Sequence, residues 1–370
     1  MTTRTSLPPG AAGAAAGAAT GSAAATATGL DAGRAAGSDV GASAGGVGSP
    51  HGAPAQAPGR VASNAAAMRI ALAAMAAFFV LAPLVIYPVF LMKVMCFALF
   101  ACAFNLLIGF GGLLSFGHAM FLGTAGYVAA HGAKVWGLSP ELAILAATAC
   151  ATALGWVTGL LAIRRQGIYF AMITLALSQM VFFFYLQSPW TGGEDGIQSV
   201  PRGKLFGIVA LDNVMAMYWL VTALFFAGFL LIWRIVHSPF GQILKAIREN
   251  EPRALSLGYD TDRYKLVAFV LSAGLAGLAG ATKALVFQLA SLTDVHWSMS
   301  GEVVLMTLLG GMGTLFGPVV GAAIIITMQN YLAQLGAWVT VVQGIIFVIC
   351  VLAFRRGVIG EISNWIKKPL

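Results

Sequence analysis

Apolar runs of roughly twenty residues recur along this chain from Ile70 onward, each closed by a short loop. A helix of ~20 apolar residues spans the hydrocarbon of a bilayer and satisfies its own backbone hydrogen bonds. Candidate spans lie at Ile70–Phe90, Val94–Phe110, Gly112–Ala130, Leu142–Ile163, Ile168–Leu186, Val214–Trp233, Leu266–Phe287 and Trp338–Phe354. Between Glu302 and Trp338 the pattern admits either two full spans or a re-entrant hairpin. The Gly- and Pro-rich GGMGTLFGP (310–318) would be the turn of either, because these residues break helices. The expected fold is all-α and integral to the membrane, with about ten transmembrane or re-entrant helices. Only 9% of the residues are charged, against about 25% in soluble proteins.

The charges orient the chain. Its longest polar excursion, 238–265, lies between two spans. From Arg234 to Lys265 it holds six Lys/Arg (Arg234, Lys245, Arg248, Arg253, Arg263, Lys265) and four acids (Glu249, Glu251, Asp260, Asp262). Loops rich in Lys and Arg stay on the cytoplasmic side. With this loop inside, both termini are expected inside. Five basic residues then face outward (Lys93, Lys134, Arg202, Lys204, Lys283), and the other sixteen of the twenty-one lie inside or in the tail. The net charge of +8 therefore reads as orientation and not as a nucleic-acid surface.

Residues 1–67 are Ala, Gly, Ser, Thr and Pro with almost no large apolar side chain. Such a segment cannot bury enough surface to offset its ordering entropy, so it is expected to be a disordered N-terminal tail. The membrane-spanning body is expected over 68–356 and a short cytoplasmic tail over 357–370. Cys96, Cys102, Cys150 and Cys350 all fall in apolar segments and read as small buried hydrophobes. The chain holds no Walker A string, nucleophile elbow, zinc-ligand spacing or dinucleotide fingerprint after a strand. No catalytic residue, metal or cofactor is expected, and uphill transport would need an external energy source.

The polar excursion is itself patterned. Ile243, Leu244 and Ile247 recur at helical spacing, which predicts an amphipathic helix from about Gly241. Pro252 cannot continue that helix but can open another, with Asn250 as its cap and Glu251 in its first turn. Gly258 suits the position just past its end. The expected second helix, about Glu251 to Leu257, would present Ala254 and Leu255 outward.

Here the sequence resembles a known family. Glu251, Ala254 and Gly258 fit the E-x-x-A-x-x-x-G core of the loop by which ABC-importer permeases contact their ATPase. The longer string SPFGQILKAIRENEPRALSLGYDTDRYKLVAF is similar to the M-type permease of bacterial branched-chain amino-acid importers (LivM type). So is NLLIGFGGLLSFGHAMFLGTAGY (105–127), where Asn105, Ser115, His118 and Thr124 become candidates for translocation or gating. A lone membrane histidine is more often a helix-to-helix hydrogen bonder. The loop PWTGGEDGI (189–197), with Thr191, Gly192, Gly193, Glu194, Asp195 and Gly196, is similar to the family's periplasmic T-G-G-x-x-G element. It would contact the substrate-binding protein or help close the outer gate; otherwise it is a Gly-rich turn with two solvated acids. GGMGTLFGPVVGA (310–322), with Gly311 and Gly313, resembles the second Gly-rich signature.

Small residues at Ser272, Ala276, Gly280 and Ala284, with Ala273 and Gly277 beside them, form a stripe suited to close helix packing. Lys283 is unexpected near that stripe and is predicted to snorkel outward, or less plausibly to pair with Glu302.

The resemblance implies a bacterial inner-membrane permease subunit. Its expected partners are a homologous second permease (LivH type), two ATPase subunits, a periplasmic substrate-binding protein and membrane lipid. The main rivals are a urea or short-chain amide permease and, less well matched, a ribose-type sugar permease. From another class comes a stand-alone secondary transporter or channel, which would carry paired ionisable residues deep in its spans.

Overall fold

The computed structural model describes residues 58–366 apart from 206, 208, 337 and 354–356. The expectation of a disordered tail falls, over residues 1–57, outside the described residues; 58–67 open the first helix. Among the described residues five helices are long and apolar enough to cross a membrane: Pro88–Phe110, Pro140–Ala162, Ile168–Gln187, Val214–His237 and Thr261–Phe287.

The first described element is α1 (Pro58–Leu81), closed by a 3-10 turn at Ala82–Leu84. The apolar run Ile70–Phe90 is therefore not one span. Pro88 sits at the start of α2 (Pro88–Asn105), where its missing N–H costs no hydrogen bond. Lys93, expected in an outer loop, belongs to the second turn of α2 and is half-buried. The chain then runs through a π-helical turn at Leu106–Phe110 into irregular backbone, and α3 (His118–Lys134) starts only at His118. The expected Gly112–Ala130 span is shortened because Gly112, at φ +70°, leaves the helical region.

Next come α4 (Pro140–Ala162) and α5 (Ile168–Gln187), then a linker with two short antiparallel pairs. One joins β1 (Ile197–Gln198) to β4 (Leu289–Ala290); the other joins β2 (Lys204–Leu205) to β3 (Val209–Ala210). These are the only departures from the all-α expectation among the described residues. The helices resume with α6 (Val214–His237), α7 (Pro239–Glu249), α8 (Glu251–Ser256) and α9 (Thr261–Phe287). After β4 follow α10 (Trp297–Gly310) and α11 (Gly317–Leu332). Last are α12 (Trp338–Ala353) and α13 (Gly357–Ile366). At 14 and 16 residues, α10 and α11 are about 21 and 24 Å long, short of the ~30 Å hydrocarbon layer. GGMGTLFGP is their turn, so the stretch is a helical hairpin with short arms. The expected C-terminal tail instead carries α13, which packs on α10 and α11.

The packing centre is α9, in contact with α2, α3 and α4. Glycine lets these helices close. A Cβ on Gly280 would stand 2.0 Å from the Leu122 carbonyl oxygen of α3, and one on Gly277 would stand 2.4 Å from Ala151 Cβ of α4. The stripe thus faces two neighbours, and Ala276 between them is fully buried. Gly155 of α4 answers it, with its Cβ position 2.4 Å from that of Ala273. Cys96 and Cys102 are buried as expected, but Cys150 lies on the exposed side of α4.

Candidate functional site

Two ends of the bundle carry its polar chemistry. At one end Ser238 caps α7, its hydroxyl accepting from Gly241 N at 3.4 Å. Leu244 and Ile247 bury the apolar face of α7 against the body. Asn250 caps α8, as its position before Pro252 predicts, by accepting from Arg253 N at 3.1 Å. Gly258 at φ +86° ends the helix, its N–H donating to Leu255 O at 2.9 Å.

One expectation about this segment fails. Ala254 does not point outward beside Leu255: it is buried, 3% exposed, while Leu255 is 54% exposed. The cause is Glu251. Its Oε1 pairs with Lys265 of α9 and accepts from Thr261 Oγ1 (3.2 Å) and Gln166 Nε2 (3.1 Å). That anchor turns one face of α8 onto α9 and leaves Leu255, Leu257 and Tyr259 exposed.

From α7 the polar contacts run inward. The Arg248 guanidinium donates to the Gly109 carbonyl in the π-helical turn, where the altered backbone pattern leaves carbonyls in need of partners. Lys245 lies 5.4 Å from the Phe110 ring centre. Asn105, one turn earlier and buried, joins the two Gly-rich segments. Its Nδ2 donates to Thr314 O at 2.8 Å, and its Oδ1 accepts from Gly313 N at 3.0 Å. A Cβ on Gly109 would lie 2.1 Å from that Oδ1 and 2.7 Å from Gly313 N. The turn after α10 is tight from the other side too, since a Cβ on Gly357 would meet Gly311 Cα at 2.4 Å. Arg248, Gly109, Asn105, Gly311, Gly313 and Thr314 thus form one contact chain. Beside it a polar pocket of about 190 Å³ is lined by Gly112, Gln166, Arg248, Glu251 and Lys265.

The other candidates of the first Gly-rich run lie elsewhere. Ser115 accepts from Gly117 N at 3.2 Å in a local turn. His118 is fully buried among the rings of Phe104, Phe121 and Phe269. Ser272 Oγ donates to Ala103 O at 2.6 Å and therefore accepts from His118 Nε2 at 2.8 Å. His118 thereby joins α3 to α9 and, through Ser272, to α2. Thr124 is buried beside Tyr185.

At the opposite end the loop after α5 winds back on itself. Thr191 is fully buried, its hydroxyl 2.6 Å from the carbonyl oxygens of both Tyr185 and Ser188. A Cβ on Gly196 would stand 2.2 Å from Ala290 O, and one on Gly192 would stand 2.5 Å from Gly196 O. Those glycines let β1 dock on β4, while Glu194 and Asp195 remain exposed. Lys134 and Arg202 hold this cap by donating to Gln198 O (2.7 Å) and Val286 O (2.8 Å).

Lys283 neither snorkels nor pairs with Glu302. It is bound to Asp294, with both side chains largely buried and the ammonium 5.6 Å from the Phe97 ring centre. Glu302 accepts instead from Gln329 Nε2 at 3.2 Å. Asp294 follows the cap strand in a stretch that reads as plain loop, so only the folded contact with Lys283, eleven residues earlier, reveals it.

Long apolar helices, a glycine-closed core and a polar segment wired into a helix break fit a multi-pass membrane transport protein. Comparison with known proteins makes this specific. A family model described as "Branched-chain amino acid transport system / permease component" matches residues 86–351, and the chain belongs to this family of ABC-importer permeases. The chain is 26% identical to the high-affinity branched-chain amino acid transport system permease protein LivM of Escherichia coli (strain K12). That match covers 72% of this chain and 68% of the relative. It is also 29% identical to the ribose import permease protein RbsC of Bacillus subtilis (strain 168), over 67% of this chain and 82% of that one. The autoinducer 2 import system permease protein LsrC of Salmonella typhi is 27% identical over 55% of this chain and 58% of the relative. No solved structure matches.

Proposed function

We propose that this chain is the LivM-type translocation subunit of an importer for branched-chain amino acids. It would work with a LivH-type permease, two ATPase subunits and a periplasmic substrate-binding protein, in the inner membrane with both termini inside. The observation that carries the reading is the contact chain from α7 to the helix break. Arg248 holds Gly109, and Asn105 carries that contact to Gly313 and Thr314. A push on α8 reaches the body through the Glu251–Lys265 pair and through α7. It then arrives where α2 and the α10–α11 turn meet. Exposed Leu255, Leu257 and Tyr259 supply an apolar surface for the ATPase cleft. The cap on β1 and β4, with exposed Glu194 and Asp195, would meet the binding protein outside.

The similarity to a ribose permease makes sugar import the reading to exclude. The experiment is uptake by proteoliposomes holding the permease pair and ATPases, supplied with the co-encoded binding protein. ATP-dependent leucine uptake unaffected by excess ribose or urea is expected. Uptake of ribose or urea with none of leucine would overturn the substrate assignment. Transport without any ATP requirement would overturn the permease mechanism as a whole.

A further inference from the structure

Four charged side chains gather at the capped end of the bundle, and the coupling reading uses none of them. Lys283 and Asp294 form a closed, largely buried pair. Glu302 of α10 takes Gln329 on one carboxylate oxygen, Oε2. Lys93 of α2 is half-buried and stands one turn before Phe97, whose ring centre is 5.6 Å from the Lys283 ammonium. Yet among the described residues Lys93 has no hydrogen bond and no ion pair within 4.0 Å. A cation and a carboxylate oxygen, each with unused hydrogen-bonding capacity, thus sit on α2 and α10, which run side by side with Thr307 Oγ1 of α10 3.5 Å from Ala101 O of α2. Their helices pack together, since α2 contacts both α10 and α11.

Unpaired charge in an apolar helix is costly, and side chains of this kind sit where substrates or ions pass. The sign pattern is informative. A bare anion site would lack Glu302, and a cation site would lack Lys93. A molecule with a carboxylate and an ammonium on adjacent atoms satisfies both at once. We propose that Lys93 and Glu302 form an outer subsite for the zwitterionic head of an α-amino acid. Lys93 receives the carboxylate, Glu302 receives the ammonium, and Gln329 orients Glu302. The closed Lys283–Asp294 pair keeps the remaining charge of the cluster balanced. Lys93 lies sixteen residues ahead of Gly109 on the same run of helix, about 24 Å away. The subsite is therefore at the far end from α7 and α8, where substrate from the binding protein would enter. The inference rests on the amino-acid reading above.

The test uses the complete transporter in proteoliposomes with its loaded binding protein, comparing wild type, Lys93→Met, Lys93→Arg and Glu302→Gln. Wild-type leucine uptake comes first, because its absence defeats the amino-acid reading and the subsite with it. Given that uptake, Lys93→Met and Glu302→Gln should each lower it about tenfold or more, the scale of one charged hydrogen bond. Lys93→Arg should retain it. Thermal unfolding of the purified complex separates binding from scaffolding. Removing an unpaired half-buried charge should leave the midpoint of Lys93→Met unchanged or raised, whereas a structural Lys93 would lower it. Wild-type leucine uptake by Lys93→Met, or a fall in uptake matched by a fall in the midpoint, overturns the subsite and leaves the transporter assignment standing.

Discussion

Asn105 offers the sharpest test of the contact chain. Replacing it by Ala removes both the donor to Thr314 O and the acceptor for Gly313 N. Each freed backbone group costs about 1–3 kcal/mol when left unsatisfied in the interior. Both contacts are only partly buried, so water recovers some of that, and a loss of about 2–4 kcal/mol is expected. Gly109→Ala attacks the same contact from the other side, because its Cβ would stand 2.1 Å from Asn105 Oδ1. The two substitutions should therefore be strongly non-additive, the double variant losing little more than either single one. The assay is thermal denaturation of the purified permease pair, with leucine uptake and ATP hydrolysis followed in parallel on the assembled transporter. Stability should fall in both single variants, and hydrolysis should come apart from uptake. Additive losses would show that Asn105 and Gly109 act separately. Wild-type stability and uptake in Asn105→Ala would refute the contact chain outright.

Gly280→Leu should prevent folding or assembly, because even its Cβ would lie 2.0 Å from the Leu122 carbonyl, while Gly301→Ala, with nothing within 4 Å, should be silent; detergent size-exclusion profiles check both. Leu255→Asp should leave insertion intact but abolish uptake and substrate-stimulated hydrolysis together, since it places a charge on the exposed apolar surface proposed to meet the ATPase. Ala254→Arg, at a buried position, should instead lower the yield of folded protein. With the native cysteines replaced, a cysteine at Glu194 should react with an impermeant thiol reagent from outside and one at Ser256 should not; the opposite pattern would invert the topology.

Much of the fold is legible because bilayer chemistry leaves few choices. Long apolar runs with polar closures give the α4, α5, α6 and α9 helices nearly to their ends. Proline and glycine rules place the α7–α8 break at Asn250 and the α10–α11 turn within GGMGTLFGP (310–318). The errors arise where two rules compete at one place. Ile70–Phe90 is apolar enough to span, but Pro83 and Pro88 lie inside it, and local geometry wins over hydropathy. Gly112–Gly117 is apolar enough for helix, yet its backbone is needed against Arg248: a Cβ on Gly112 would stand 2.9 Å from Arg248 Cγ.

The site is less legible, because periodicity describes one helix and the site is made between helices. Glu251 and Ala254 can be found as a pattern, but which of α8's faces turns inward depends on Lys265, fourteen residues on. The charge cluster shows the same limit more sharply. Lys283 looks like a stray cation near a span end, for which snorkelling is the cheapest resolution. That resolution fails for Lys283 because Asp294 is brought over it by β4, and β4 is positioned by β1, some ninety residues earlier in the chain. Lys93, read as an outward-facing residue between two spans, lies within the second turn of α2 because Pro88 starts that helix early. The apparent lack of deep ionisable pairs, which counts against a transporter with its own coupling ions, is thus a property of the sequence order only. In space Lys283 and Asp294 close such a pair, and with Lys93 and Glu302 on the adjoining α2 and α10 the four charges sum to zero, which suits the proposed zwitterion better than a driving ion.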